Sequence, residues 1–416
     1  MNNFKIKNIA AREILDSRGN PTIEVMLETK SGIFHASVPS GASVGKHEAV
    51  EFRDGGERYL GKGVSGAVEN VNKIIGPKIK GMDVTSQKKI DDLMIELDGT
   101  NNKSSLGVNA ICGVSLAVCR AGAGSKKLEL FKYINDILKT AYKLKVEPRL
   151  PDPLFNIING GVHSKSSLNV QEFMVVIDKD SFSKKLETIF EIYNQLRDLL
   201  LKRFGKLAVN IGDEGGFVPP FLITEQALDF ILKAAKDLGY KVKIVLDVAA
   251  SQFFEDGKYK IDAGVFTNQG FLRYYSDMIS KYQILGLEDP FSEDDWQGFQ
   301  DINKKFGKDI LIIGDDLLVT NLERMKTAKQ KNAVNSAVIK INQVGTVSEA
   351  LEAVKLAKQY KWKIVVSHRS GETNDDFISD FATGVGADFI KAGAPARGER
   401  IAKYNRLLKI EQELEK

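Results

Sequence analysis

The run ILIIGDD (310–316) is apolar at alternate and intervening positions alike, then stops on two carboxylates. A strand with one face in water alternates polar and apolar residues. A strand covered on both faces reads as a continuous Val/Ile/Leu run, the pattern of parallel strands packed under helices. Five more runs have this form: KVKIVLD (241–247), QILGLED (283–289), SAVIKIN (336–342), KIVVSHRS (363–370) and DFIKAG (388–393). Segments with helical periodicity lie between them, among them TEQALDFILKAAKDLG (224–239), NLERMKTAKQK (321–331) and TVSEALEAVKLAKQY (346–360). Repeated strand–helix units of this kind predict an α/β fold, either a closed β/α (TIM-like) barrel or a doubly wound sheet.

Upstream the order is different. Extended runs come first, FKIKNIAAREIL (4–15), TIEVMLET (22–29) and IFHASVP (33–39), the last two joined by the turn KSG. Helical patterns follow, including VSGAVENVNKII (64–75), SQKKIDDLMIELDG (86–99) and LGVNAICGVSLAVCRAGAG (106–124). Strands followed by helices predict a separate α+β module. The Pro-rich stretch VEPRLPDP (146–153) marks the boundary, so the sequence divides into an N-terminal α+β domain (1–135) and a C-terminal barrel domain (146–416).

Composition excludes several function classes. The 59 basic and 55 acidic residues are mixed along the chain, with no basic tract to track a nucleic-acid backbone. No apolar run approaches the length of a membrane span, and MNNFKIKNIAARE lacks the apolar centre of a signal peptide, so the expected location is cytoplasmic. Cys112 and Cys119 lie two helical turns apart, about 10 Å, beyond disulfide reach. They are expected to be buried thiols. GKGVSG (61–66) has dinucleotide-loop spacing, but no apolar strand precedes it.

The chemistry is written at the strand ends. The six runs stop at Asp247, Glu288, Asp315, Lys340, His368 and Lys391. In a closed barrel the carboxyl ends of parallel strands converge on one face, so these six side chains surround one pocket. An acid at a single strand end is commonly a turn residue or a helix cap. Three successive acids followed by Lys, His and Lys have no such explanation as a set. Three carboxylates facing one pocket call for a cation, and an all-oxygen donor set favours Mg²⁺ over Zn²⁺. Lys340, embedded in an apolar run beside a second ammonium, is expected to have a lowered pKa and to accept a proton. A metal beside a basic lysine is suited to proton abstraction next to a carboxylate. GDEGGF (212–217) adds two acids on a glycine turn that carries no bulky side chain to cover them.

Many short stretches resemble the enolase family, in family order and over essentially the whole chain. They are DSRGNPT (16–22), PSGAS (39–43), LDGT with NKS (97–104), NGG with His163, QEFM (171–174), GDEGG (212–216), LEDPFSEDDW (287–296), GDDLLVTN (314–321), IKINQVGT (339–346), SHRSGET (367–373) and KAGAPARGER (391–400). The resemblance implies an N-terminal capping domain on a barrel whose first two strands depart from simple alternation. It implies Mg²⁺-dependent dehydration of 2-phosphoglycerate to phosphoenolpyruvate, with two Mg²⁺ per site, the second arriving with substrate. By it, Asp247, Glu288 and Asp315 hold Mg²⁺, Lys340 is the general base and Glu214 the general acid, which needs a raised pKa. Glu172 assists the acid, Lys391 pairs with the substrate carboxylate, and His163, His368, Arg369 and Ser370 contact substrate and phosphate. Glu172, Glu288 and Asp315 also face the substrate, and Ser43, on a mobile loop, reaches the second Mg²⁺.

The chain departs from the family pattern at Val44 and Ala392. The family also implies a homodimer or a higher assembly of dimers. Terminal Lys416 is compatible with the cell-surface, plasminogen-type binding of some members. Two other classes remain at this point: a non-catalytic binding scaffold, which should have lost site residues, and a relative acting on another carboxylate, which should have lost the phosphate contacts.

Overall fold

The computed structural model describes residues 4–41, 46–164 and 166–416. Strands β1 (Asn8–Leu15), β2 (Pro21–Thr29) and β3 (Gly32–Ser37) form an antiparallel sheet in that order. β2 has the alternation of a half-buried strand, with Ile23, Val25 and Leu27 inside. Helix Val108–Lys126 packs on β2 and β3. This helix does have the length and apolarity of a membrane span, contrary to the expectation from sequence, but it is almost wholly buried inside the protein. Its Gly and Ala residues let the sheet approach closely: a Cβ on Gly113 would sit 2.7 Å from Val25 Cγ2. Cys112 and Cys119 are free and buried in it, as expected, and burial pushes both thiols up.

Strands β4 (Asp152–Asn159), β5 (Glu172–Ile177) and β6 (Val242–Asp247) begin the second unit. A small three-stranded sheet follows, β7 (Phe254–Glu255), β8 (Lys258–Ile261) and β9 (Gly264–Phe266). Then come β10 (Ile284–Glu288), β11 (Leu311–Gly314), β12 (Ser336–Ile339), β13 (Lys363–Ser367) and β14 (Phe389–Lys391). The barrel closes in the order β4-β5-β6-β10-β11-β12-β13-β14, which decides for the barrel over the open sheet. All six apolar runs are barrel strands.

β5 alone runs against the others, antiparallel to both β4 and β6. Its beginning therefore lies at the carboxyl end of its neighbours, and Glu172, its first residue, pairs in register with Asp247, the last of β6. Leu154, Met174, Val245, Ile313, Val338 and Val365 fill the barrel interior.

Polar contacts join the two units. Ser40 and Gly371 form a backbone bridge, and Arg120 reaches Asp375. Asp91, on helix Gln87–Asp98, accepts from the backbone N–H of Ser348 at 3.1 Å and its hydroxyl at 2.6 Å, and from Gln87. Burial raises Asp91 to about 6, against the hydrogen bonds that pull it down. A carboxyl raised in the folded state binds its proton more tightly there than in the unfolded chain. Its contribution to stability is thus fully present below the unfolded value and lost as pH rises through about 6. Relative to Asp91→Asn, the native chain should lose up to about 3 kcal/mol between pH 4 and 7. Urea melts of both proteins across that range measure it, and a native chain that holds or gains stability relative to Asp91→Asn as pH rises would refute it.

Candidate active site

The glycine turn does not expose its acids, contrary to the expectation from composition. Ile211 and Phe217 bridge to one another, and Phe217 is bonded to β4 through Asn159 N–H (2.9 Å) and Ile157 O (2.9 Å). A Cβ on Gly212 would meet the His163 carbonyl at 2.7 Å, and Gly215 has φ +87°. The glycines let the turn lie flat against β4 and the His163 segment, and this buries Glu214 to 1% exposure. Asp213 is half-buried.

Glu172, Glu214, His163 and His368 form one group. His163 Nδ1 lies 3.4 Å from both Glu172 Oε1 and Glu214 Oε1. Asn156 Nδ2 donates to Glu214 Oε2 at 3.0 Å, and His368 Nε2 stands 3.3 Å from the same oxygen. Burial and the neighbouring Glu214 carboxylate push Glu172 up to about 7. For Glu214 burial acts upward, but the imidazoles of His368 and His163, with Arg400, hold it well below the ordinary carboxylate range. The expectation of a raised Glu214 is thus corrected: of the two acids, the structure raises Glu172. Burial, with Arg400 alongside, pushes His368 down to about 3 against the pull of Glu214.

The acids on the strand ends gather around the lysines. Lys391 Nζ lies 2.8 Å from Glu288 Oε1, 2.9 Å from Asp247 Oδ2 and 3.2 Å from Glu172 Oε1. Lys340 Nζ donates to Asp315 Oδ2. Burial would lower both lysines, but Asp247, Glu172 and Glu288 around Lys391, and Asp315 beside Lys340, raise them. The expected lowering of Lys340 is therefore not found, because Asp315 opposes the desolvation. Glu288 is raised by burial and by Asp247, whereas Lys340 and Lys391 hold Asp315 down despite its burial.

Arg369 donates to Glu48 Oε2 at 2.8 Å and to Asn342 at 3.2 Å, so the N-terminal unit contributes to the site. Ser370 and Arg369 line the same cleft as Lys340, His163 and Glu214. Ser43 and Val44 lie outside the described residues.

Several participants were not singled out from sequence. Asp289, at φ +41°, accepts from the backbone N–H of Asp315 (3.0 Å) and of Asp316 (2.7 Å), and so fixes the segment that carries Asp315. Gln171 donates to Asp247 at 3.2 Å. Arg400 is completely buried against His368. The doubled acids in LEDP and GDD were a usable signal for Asp289 and Asp316; Arg400 ends the family-like stretch KAGAPARGER, but its pattern of neighbours does not distinguish it from a surface helix residue.

The donor set suits a hard divalent cation. Asp247, Glu288 and Asp315 stand on adjacent strands, the Lys391 ammonium already serves as counter-charge to two of them, and buried Glu288 Oε2 and Glu172 Oε2 have no hydrogen-bond partner among the described residues. The tightest groupings of possible ligands among the described residues are different sets, His163 with Glu172 and Glu214, and Asp289 with Asp315 and Asp316. In the second set Asp289 spends both oxygens on backbone N–H groups, which makes it a support for Asp315.

The sequence matches two family models, "Enolase, N-terminal domain" over residues 6–134 and "Enolase, C-terminal TIM barrel domain" over 147–416. It is 49% identical to the enolases of Thermococcus kodakarensis and Pyrococcus furiosus, in each case over 100% of this chain and 96% of the relative. It is 48% identical to the enolase of the protist Mastigamoeba balamuthi, over 98% of this chain and 96% of that one. With matches of this extent on both halves, the chain belongs to the enolase family, the hydro-lyases of glycolysis.

Proposed function

We propose that the chain catalyses the reversible, Mg²⁺-dependent dehydration of 2-phospho-D-glycerate to phosphoenolpyruvate, with Asp247, Glu288 and Asp315 holding the metal. The observation that carries this is the placement of buried Lys391 and partly buried Lys340 among those acids at one end of the barrel, with a second acid pair, Glu172 and Glu214, lining the same cleft. Bound there, divalent cations would supply a Lewis acid for the substrate carboxylate and offset the acids that keep both lysines protonated.

Lys340 removes the C2 proton and Lys391 neutralises the substrate carboxylate as charge builds on it. Glu214 delivers a proton to the hydroxide leaving C3. The raised Glu172, which faces Glu214 across His163 Nδ1 with 3.4 Å on each side, is suited to hold that proton beforehand. His163, His368, Arg369 and Ser370 take the phosphate and the substrate hydroxyl, and Ser43 completes the second Mg²⁺ site. Residues 1–135 act as a cap on the barrel of residues 146–416, as the pairing of Glu48 with Arg369 supports.

We place the enzyme in the cytoplasm, as a homodimer or an assembly of dimers, with Lys416 exposed for any surface binding. The growth of phosphoenolpyruvate absorbance from 2-phosphoglycerate tests the activity. It should require Mg²⁺, vanish with a chelator and return with added Mg²⁺. Absence of product at saturating Mg²⁺ would overturn the proposal.

A further inference from the structure

Arg400 opens helix Gly398–Leu414 and is fully buried, although a guanidinium cannot shed its charge. Buried charges are normally matched by a carboxylate. Here the nearest, Glu399 Oε1, is 3.4 Å from Nε and is already held by Arg397 at 2.6 Å. The guanidinium turns to the site instead. Nη1 lies 2.7 Å from His368 Nδ1 and donates to the Arg369 carbonyl at 2.6 Å. Nη2 donates to the carbonyls of Ser370 at 2.6 Å and Asp213 at 3.0 Å. One side chain thus joins the segment 368–370 to the turn that presents Glu214. Gly393, at φ +87°, makes room for its stem, since a Cβ there would sit 2.9 Å from Arg400 Cδ.

Arginine only donates, so His368 Nδ1 must accept and its single ring proton must sit on Nε2. That nitrogen is the one 3.3 Å from Glu214 Oε2, near the carboxylate but outside hydrogen-bond geometry. We infer that Arg400 is a positioning residue that fixes the Nε2–H tautomer of His368 and sets that N–H against Glu214. The ring then turns its N–H edge, with its partial positive charge, toward the Glu214 carboxylate at 3.3 Å, favouring the state Glu214 reaches after giving up its proton. In the opposite tautomer a bare nitrogen would face the carboxylate and repel it. The value of this for turnover rests on the proposed acid role of Glu214; the tautomer itself does not.

Long-range ¹H–¹⁵N NMR of histidine-labelled full-length protein decides the tautomer, since the chain has only 4 histidines. His368→Gln assigns the signal by its loss. The expected spectrum has an unprotonated Nδ1 and a protonated Nε2 for His368. A protonated Nδ1, or a doubly protonated ring at neutral pH, would overturn the inference without recourse to any variant. In Arg400→Lys, which keeps the charge and loses the fork, the His368 signal should shift toward mixed tautomers, and kcat should fall by roughly tenfold or more while KM moves less. An unchanged tautomer and kcat in that variant would also overturn it. The expected tautomer in a protein with no hydratase activity would leave the positioning intact and remove the acid role of Glu214.

Discussion

Lys340→Ala should abolish both the dehydration of 2-phosphoglycerate and the exchange of its C2 hydrogen with solvent deuterium. The expected loss is on the order of 10⁴-fold, the upper end of what a positioned base contributes. The ammonium is partly buried and held against Asp315, on a residue whose own N–H is fixed to Thr320 at 3.0 Å, so its position is set from both ends. No other lysine among the cleft residues can substitute, since Lys391 is committed to three carboxylates. Glu214→Gln separates the two steps: dehydration is lost while C2 exchange continues, because Lys340 can return the proton it took. NMR of substrate incubated with each variant in D₂O and Mg²⁺ reads both signals. Exchange surviving without Lys340 and vanishing without Glu214 would reverse the two roles.

Asp247→Asn, Glu288→Gln and Asp315→Asn should each weaken Mg²⁺ binding by roughly 10²-fold or more, since each removes an anionic oxygen from a buried site. The variants also uncover a lysine. Truncating one partner of a buried ion pair costs about 3–5 kcal/mol when the remaining charge is stranded. Lys391 retains two acids after loss of Asp247 or Glu288, whereas Lys340 loses with Asp315 its one close carboxylate among the described residues. Asp315→Asn should therefore be the least stable of the three, and denaturant melts without metal separate that effect from metal affinity. Calorimetric titration reads the affinity directly. Unchanged Mg²⁺ binding in all three variants would remove these residues as ligands.

Apolar runs on both faces identified six of the eight barrel strands, because burial on both sides leaves a local mark in the residues themselves. β4 and β5 escaped that test: their edges carry Pro, Asn and Gln, and β5 has no helix before it to set a rhythm. The strand-end rule found Asp247, Glu288, Asp315, Lys340, His368 and Lys391, since parallel strands in a closed barrel all deliver their last residue to one face.

By itself, then, the sequence determined the repeated strand–helix units and the charged residues at the strand ends, while the periodicity left a closed barrel and an open sheet as alternatives. Only the tertiary structure decided that β5 runs backwards and so brings Glu172, at the start of its strand, beside Asp247. It also decided that burial hides Glu214, that Asp315 keeps Lys340 charged, that Glu172 is the carboxyl raised to about 7, and that Arg400 faces His368. The division has one physical origin. Secondary structure follows from periodicity between near neighbours in the chain, whereas pairing direction, desolvation and proton affinity are set by charges and strands that come close only after folding.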